Sequence, residues 1–235
     1  MSSDFTRGTV NGIPIALGYL SVSFGFGIKA VQSGLSPLSA SLISLSSLTS
    51  AGQVAGVDVI ASGGTLIEMI LVQLTINIRY SLMAIALSQK LDRCFSLPHR
   101  LLASYGITDE IFAVCSAEKI ITPFYMYGMI IIATLGWVGG TFLGAYAGQL
   151  LPDAVSSAMG IVLYGMFLAI TVPPSRKQKG ILTAVIASAL ASILFYYVFT
   201  SVSGGFSVII SAVTASAVCA LLFPLKESEE TESTK

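Results

Sequence analysis

Residues 66–89 read LIEMILVQLTINIRYSLMAIALSQ. The run is apolar and long enough to cross a bilayer, whose hydrocarbon core of about 30 Å needs roughly 20 helical residues. Yet Glu68, Gln73, Asn77 and Arg79 lie inside it. Ionisable and amide groups at that depth are costly unless they meet partners, water or a solute, so they mark function more often than packing. This stretch reads as the working helix of a path through a membrane protein.

Composition carries the same message outward. Hydrophobic residues make up 54% of the 235-residue chain and charged residues 10%. The mean hydropathy is +0.84. So few charges cannot cover the surface of a water-soluble domain of this length, so the solvent for most of the chain is lipid. Twelve basic and twelve acidic residues cancel. No basic field points to nucleic acid. Cys94, Cys115 and Cys219 are scattered, without metal-ligand spacing, and read as packed, inert thiols. The polar start, Met1 to Gly8, does not read as a cleavable signal.

Counting apolar blocks predicts an all-α integral membrane protein with seven hydrophobic segments: 13–31, 38–61, 66–88, 124–148, 154–172, 181–200 and 206–223. Gly34-Leu35-Ser36-Pro37, Pro152-Asp153, Pro173-Pro174 and Ser203-Gly204-Gly205 separate them with helix-stopping chemistry. The expected organisation is a single polytopic domain, 1–225, and a polar tail, 226–235, whose Glu, Ser and Thr content suggests disorder. Lys90, Arg93 and Arg100 follow the third segment, and Arg176, Lys177 and Lys179 the fifth. The positive-inside rule places both loops in the cytoplasm of a multi-pass cell-membrane protein. The N-terminus then falls outside if segment 38–61 crosses once.

That segment is unusually polar, with Ser44, Ser46, Ser47, Thr49, Ser50, Gly52, Gln53, Gly56 and Asp58. Two readings stay open. Gly52-x-x-x-Gly56 suits a helix-packing face. A broken or re-entrant helix, tolerated where protein or water surrounds it, suits a substrate site. The connection 91–122 carries its own helix signal, because Thr108 can cap a helix whose first turn holds Asp109 and Glu110. At about fourteen residues, or roughly 21 Å, that helix would be re-entrant or interfacial.

Leu17-Gly18-Tyr19 before Phe24-Gly25 returns as Leu135-Gly136-Trp137 before Phe142-Leu143-Gly144. A three-plus-three inverted repeat with one extra C-terminal helix would account for this, as would chance similarity between Gly-rich helices. Gly136, Gly140, Gly144 and Gly148 form a smooth stripe for close helix packing.

On the third segment, Glu68, Val72, Thr75 and Arg79 form one helical stripe, and Gln73, Asn77 and Ser81 a second. The stripes point nearly opposite ways, which predicts a helix in the centre of the bundle with no wide polar-free face.

Three separated elements carry a family resemblance. Thr75-Ile76-Asn77-Ile78-Arg79-Tyr80-Ser81-Leu82, Ala51-Gly52-Gln53 and Thr108-Asp109-Glu110-Ile111-Phe112-Ala113 resemble, in order, motifs of the AzlC family of branched-chain amino acid permeases. Trp137 to Gly144 is similar to a further Gly-rich element of that family. Tyr80 stands where the family usually has His, and Val54 where it has Phe. The resemblance implies export of leucine, isoleucine, valine and related amino acids, together with a small, separately encoded membrane subunit of the AzlD type.

A zwitterion at mid-membrane needs a cation or helix N-terminus for its carboxylate and acceptors for its ammonium. Arg79 with the Gly52 and Gln53 amides can serve the first, and Asp109, Glu110 or Glu68 the second. Arg79, Asn77, Gln53, Gly52 and Gln73 are therefore the expected substrate-binding residues, and Asp109, Glu110 and Glu68 the expected coupling or gating residues. For Arg79 the alternative is snorkelling to the interface, and for Asp109-Glu110 a plain cap at the water boundary.

No H-E-x-x-H or G-x-G-D element is present, and His99 is the single histidine. No phosphate-binding G-x-x-x-x-G-K-[ST] loop exists either. The expectation is a gradient-driven carrier rather than an enzyme, with no metal or cofactor. The alternatives are a gradient-driven carrier of another small solute or, in a different class, a channel or a non-transporting structural membrane subunit.

Overall fold

The computed structural model describes residues 2–152, 165, 168 and 171–223. The chain divides into two compact units, Met1–Met166 and Phe167–Lys235. The described residues are helical, with one isolated β-bridge, Leu91 to Ile121, and no strand.

The first unit is built on α1 (Ser2–Gln32) and α7 (Pro123–Leu150), the most extensively packed pair of helices. They run in the same direction. Gly136, Gly140, Gly144 and Gly148 of α7 meet Ala16, Leu20, Phe24 and Ile28 of α1 in turn, and Gly8 and Gly12 of α1 meet Tyr125 and Met129. A Cβ at Gly140 or Gly144 would overlap the Leu20 or Phe24 carbonyl oxygen. The glycine stripe is thus a packing face that brings two backbones together.

Between these helices the chain makes two excursions and one crossing. Gly34 (φ 90°) closes α1, and α2 (Pro37–Ser46) leaves from its C-terminal end, with Ser36 as N-cap. The helix breaks at Ser47–Leu48, and α3 (Ser50–Ala61) starts from the Thr49 cap. Further along α3, Asp58 forms a 2.7 Å ion pair with Lys29 in the last turn of α1. α3 has therefore returned to the end from which α2 departed. Segment 38–61 is a re-entrant hairpin of 10- and 12-residue helices, neither long enough to span.

Gly63 (φ 67°) closes α3, and α4 (Leu66–Ser88) crosses antiparallel to it. Gly52 faces Gln73, and Gly56 faces Gln73 and Met69. A second excursion, α5 (Leu97–Ser104) and α6 (Asp109–Ala117), leaves from the other end. Its feet are laced together: Asp92 N donates to Ile121 O and Ile121 N to Lys90 O, both at 2.9 Å. The Lys90 ammonium also donates to the Ser116 and Glu118 carbonyls. Its two arms reach progressively deeper contacts on α7, from His99 on Tyr127 to Gly106 on Ile130. The sequence predicted one helix here. A second, α5, forms because Pro98 sits in its first turn after the Ser96 cap.

In the second unit, α8 (Lys179–Tyr197) and α9 (Gly204–Leu222) form an antiparallel pair closed by Cys219 and Phe223 against Gly180. Residues 171–177 are helical.

Five helices among the described residues are long and apolar enough to cross a membrane. They correspond to the first, third, fourth, sixth and seventh predicted segments. The second is the hairpin, and the fifth, 154–172, lies largely outside the described residues. The first helix starts well before Ile13, because Arg7 pairs with Glu118 at 3.5 Å, Asn11 bonds Tyr125, and Thr122 donates to Asp4.

Two expectations need correction. An inverted relation between the first and fourth segments requires α1 and α7 to be antiparallel, and they are parallel. Nor does α4 lie at the centre of the first unit. Ile67, Ile70, Leu74, Ile78, Leu82 and Ile85 form a continuous exposed stripe along it. The two polar stripes flank one inward half of the helix, which leaves the other half apolar.

Candidate functional site

The two hairpin tips meet at mid-height. Asn77 is the central residue of the 23-residue α4, and Tyr19 and Trp137 lie near the middles of α1 and α7. All three reach a tip. Thr49 Oγ1 donates to Asn77 Oδ1 at 2.6 Å, the Tyr19 hydroxyl lies 2.6 Å from Thr108 Oγ1, and Trp137 Nε1 donates to Gln53 Oε1 at 3.1 Å. The tips also touch each other, through Tyr105 OH on the Leu45 carbonyl.

The first tip is held by a closed polar network. Asn77 Nδ2 donates to Gln73 Oε1 at 3.0 Å, and Gln73 Nε2 to the Gly52 carbonyl at 2.7 Å. The Gly52 amide returns to Thr49 Oγ1. Gln53, buried, donates to the Ser47 carbonyl at the helix break and, at 3.3 Å, to the Ile43 carbonyl, which also accepts from Ser47 N in the last turn of α2. Ser44 and Thr141 hydroxyls pair at 2.7 Å alongside. Backbone interrupted at membrane depth is tolerable because side chains satisfy it in this way.

The second tip carries the charge. Thr108 caps α6 by accepting from Ile111 N, with Asp109 and Glu110 in the first turn. Tyr19 OH lies 2.5 Å from Glu110 Oε2. Having one proton, the phenol donates to the carboxylate and accepts from the Thr108 hydroxyl. Arg79 Nη1 reaches both Asp109 oxygens, at 2.8 and 2.7 Å, and its guanidinium lies over the Tyr80 ring. About a third of each partner stays accessible, 38% for Arg79 and 33% for Asp109.

Of the expected residues, Gly52, Gln53, Gln73 and Asn77 form one network, and Arg79, Asp109 and Glu110 line the tip opposite. Glu68 stands apart, buried in the first turn of α4 beside Gly64. It lies nine residues before Asn77, about 13.5 Å along the helix. Tyr19, Trp137 and Thr141 were not expected in the site, and Ser44 and Thr49 were read only as hydroxyls of the polar segment 38–61. Tyr19 and Trp137 stood out in the sequence as repeat markers, and their pairing to tips is visible once α1 and α7 are parallel.

These features define a multi-pass, all-helical membrane protein with a polar centre at mid-height. The sequence profile of the AzlC protein family matches residues 14–151, which include both hairpins. The chain belongs to the AzlC family. It is 27% identical over 213 residues to "Inner membrane protein YgaZ" of Escherichia coli K12, covering 87% of each chain. It is 32% identical over 203 residues to an "uncharacterized membrane protein" of Archaeoglobus fulgidus, covering 86% of this chain and 89% of the relative. A Helicobacter pylori "uncharacterized membrane protein" is 26% identical over 189 residues. No solved structure matches. The protein is a multi-pass cell-membrane protein.

Proposed function

We propose that this chain is the large subunit of a gradient-driven exporter of branched-chain amino acids and works with a small AzlD-like membrane subunit. The observation that carries the reading is the Arg79–Asp109 pair, held at mid-height of a spanning helix between two re-entrant tips and still partly accessible. An ion pair at that depth has no structural need that apolar packing would not meet better. A zwitterion exchanges well with it: the substrate carboxylate takes Arg79 and its ammonium takes Asp109. Asn77 and Gln73, with the Gly52 and Gln53 end of α3, supply further polar groups beside that position.

Glu110 takes the coupling role, because its carboxylate and the Tyr19 phenol share a hydrogen bond that protonation would rearrange. Glu68, remote from both tips, is then a gating residue at the far end of α4 rather than a substrate ligand.

The test is flux of labelled leucine, valine and methionine in proteoliposomes, with and without a pH gradient and the small subunit. Saturable, gradient-dependent flux separates a carrier from a channel or a structural subunit. Arg79→Ala and Asn77→Ala should each cut leucine flux by about tenfold or more, the loss of one good charged or polar contact. Wild-type rates in both would refute the assignment.

A further inference from the structure

The two hairpins are built alike. Ser36 and Ser96 stand at the N-cap positions of α2 and α5, each followed within two residues by proline, although only Ser36 accepts a capping bond, from Ser39 N. Thr49 caps α3 and Thr108 caps α6, each hydroxyl accepting from the amide three residues on. Thr65 and Thr122 cap the long helices that follow, α4 and α7, in the same way. The equivalent positions are separated by about 60 residues throughout, the spacing that also relates the middles of α1, α4 and α7. The lysine closing each long helix repeats as well. Lys29 holds the end of α3 through Asp58, and Lys90 holds the end of α6 through the Ser116 and Glu118 carbonyls.

The two copies have opposite orientation. The first hairpin leaves from the C-terminal end of α1 and the second from the C-terminal end of α4, and α4 runs against α1. A half-turn about an axis at mid-height therefore exchanges α1 and its hairpin with α4 and its hairpin. The same operation converts the Tyr19–Thr108 contact into the Asn77–Thr49 contact, because each tip threonine is held by the long helix of the other copy. The likeness of the Leu17 and Leu135 stretches follows too. Two inversions restore the original direction, so α7 runs parallel to α1.

We infer that residues 2–117 of the first unit form a pair of inverted units of about 60 residues, each one long helix plus one re-entrant hairpin, and that the hairpins are two opposed gates. Each gate closes when its tip threonine bonds across to the other unit, Thr49 to Asn77 and Thr108 to Tyr19. The gating role rests on the transport reading given above, whereas the inverted units stand on geometry. Lys90, Arg93 and Arg100 then put the foot of the second hairpin, and with it the N-terminus, on the cytoplasmic side.

Labelling with a membrane-impermeant maleimide in intact and permeabilised cells tests the arrangement. In a background with Cys115→Ala and Cys219→Ala, the native Cys94 is exposed and reports one foot, and Lys119→Cys combined with Cys94→Ser reports the other foot of the same hairpin. With Cys94→Ser added, Gln32→Cys and Ser62→Cys report the feet of the first hairpin. Positions 32 and 62 should label from outside in intact cells, and 94 and 119 only after permeabilisation. Labelling of 32 and 62 from opposite sides would overturn the inverted units.

For the gates, Leu45→Cys/Tyr105→Cys, where the two tips touch outside the proposed substrate and coupling residues, are joined by a short reversible bis-thiol reagent. The lock holds both tips together and should lower leucine flux by about tenfold or more relative to the same protein after reduction. Unchanged flux through the locked protein would overturn the gating role. Correct labelling with no flux even in the unlocked wild type would leave the inverted units standing and remove the transport reading.

Discussion

The rings of Tyr19 and Trp137 meet edge to face, 5.2 Å apart with planes at 77°, at the middle of two parallel helices. Their polar ends diverge: the Tyr19 hydroxyl goes to Glu110 and Thr108 on one hairpin, and the Trp137 indole to Gln53 on the other. One aromatic pair therefore anchors both re-entrant tips to the α1–α7 spine.

Trp137→Phe keeps the ring contact and removes the donor to a buried amide. Leaving Gln53 Oε1 short of a partner should destabilise the fold by about 1 to 3 kcal/mol. A lowered thermal unfolding midpoint in detergent, with the helical circular dichroism of the cold protein unchanged, is the expected observation. An unaltered midpoint would mean that the indole hydrogen bond contributes nothing.

Gly144 and Gly139 sit five residues apart on α7 and should respond oppositely. A Cβ on Gly144 overlaps the Phe24 carbonyl, while one on Gly139 meets nothing within 4 Å. Gly144→Ala should cost about 1 to 3 kcal/mol by prising the helices apart, and Gly144→Leu should abolish monodisperse protein on size exclusion. Gly139→Ala should stay within about 0.5 kcal/mol of wild type.

At the first tip, Thr49 both caps α3 and donates to Asn77. Thr49→Ser retains both roles and should transport at close to the parental rate. Thr49→Val loses both, costing about 1 kcal/mol for the cap alone. Comparing leucine flux and thermal midpoints of the two variants separates the hydroxyl from the β-branched shape.

Glu110→Gln preserves a group that can bond Tyr19 and removes the one that can take a proton. In the proposed coupling role, leucine counterflow across equilibrated vesicles should persist, whereas accumulation driven by a pH gradient should vanish. Retained gradient-driven accumulation would reassign Glu110 to capping of α6.

Arg79 and Asp109 should show coupling in a double-mutant cycle. Arg79→Ala leaves a carboxylate without its cation, so Asp109→Asn added to Arg79→Ala should recover part of the lost folded yield without restoring leucine flux. Additive losses in yield would indicate that the 2.7 Å pair is incidental.

Much of this architecture was written in local chemistry. Helix α4 was legible residue for residue, Leu66 to Ser88, because a long apolar run sits between Thr65 and a polar terminus. The Thr108 cap and the acidic first turn of α6 were legible for the same reason. The polar content of residues 38–61 left a packing face and a broken helix both open, and the family motifs picked out Gln53, Asn77, Arg79 and Asp109. Hydropathy, capping and motif spacing are properties of adjacent residues, so the sequence states them directly. Tertiary structure alone decided that α1 and α7 run parallel and that segment 38–61 returns to the end it left. It alone brought Tyr19 and Trp137 to the hairpin tips. Those relations join residues about 30 to 120 positions apart, through backbone contact at glycines, one ion pair and single hydrogen bonds, and no local pattern encodes the direction in which two distant helices meet. The outward apolar face of α4 belongs with them, since periodicity shows how polar stripes are spaced around a helix but not which of the two arcs between them is buried.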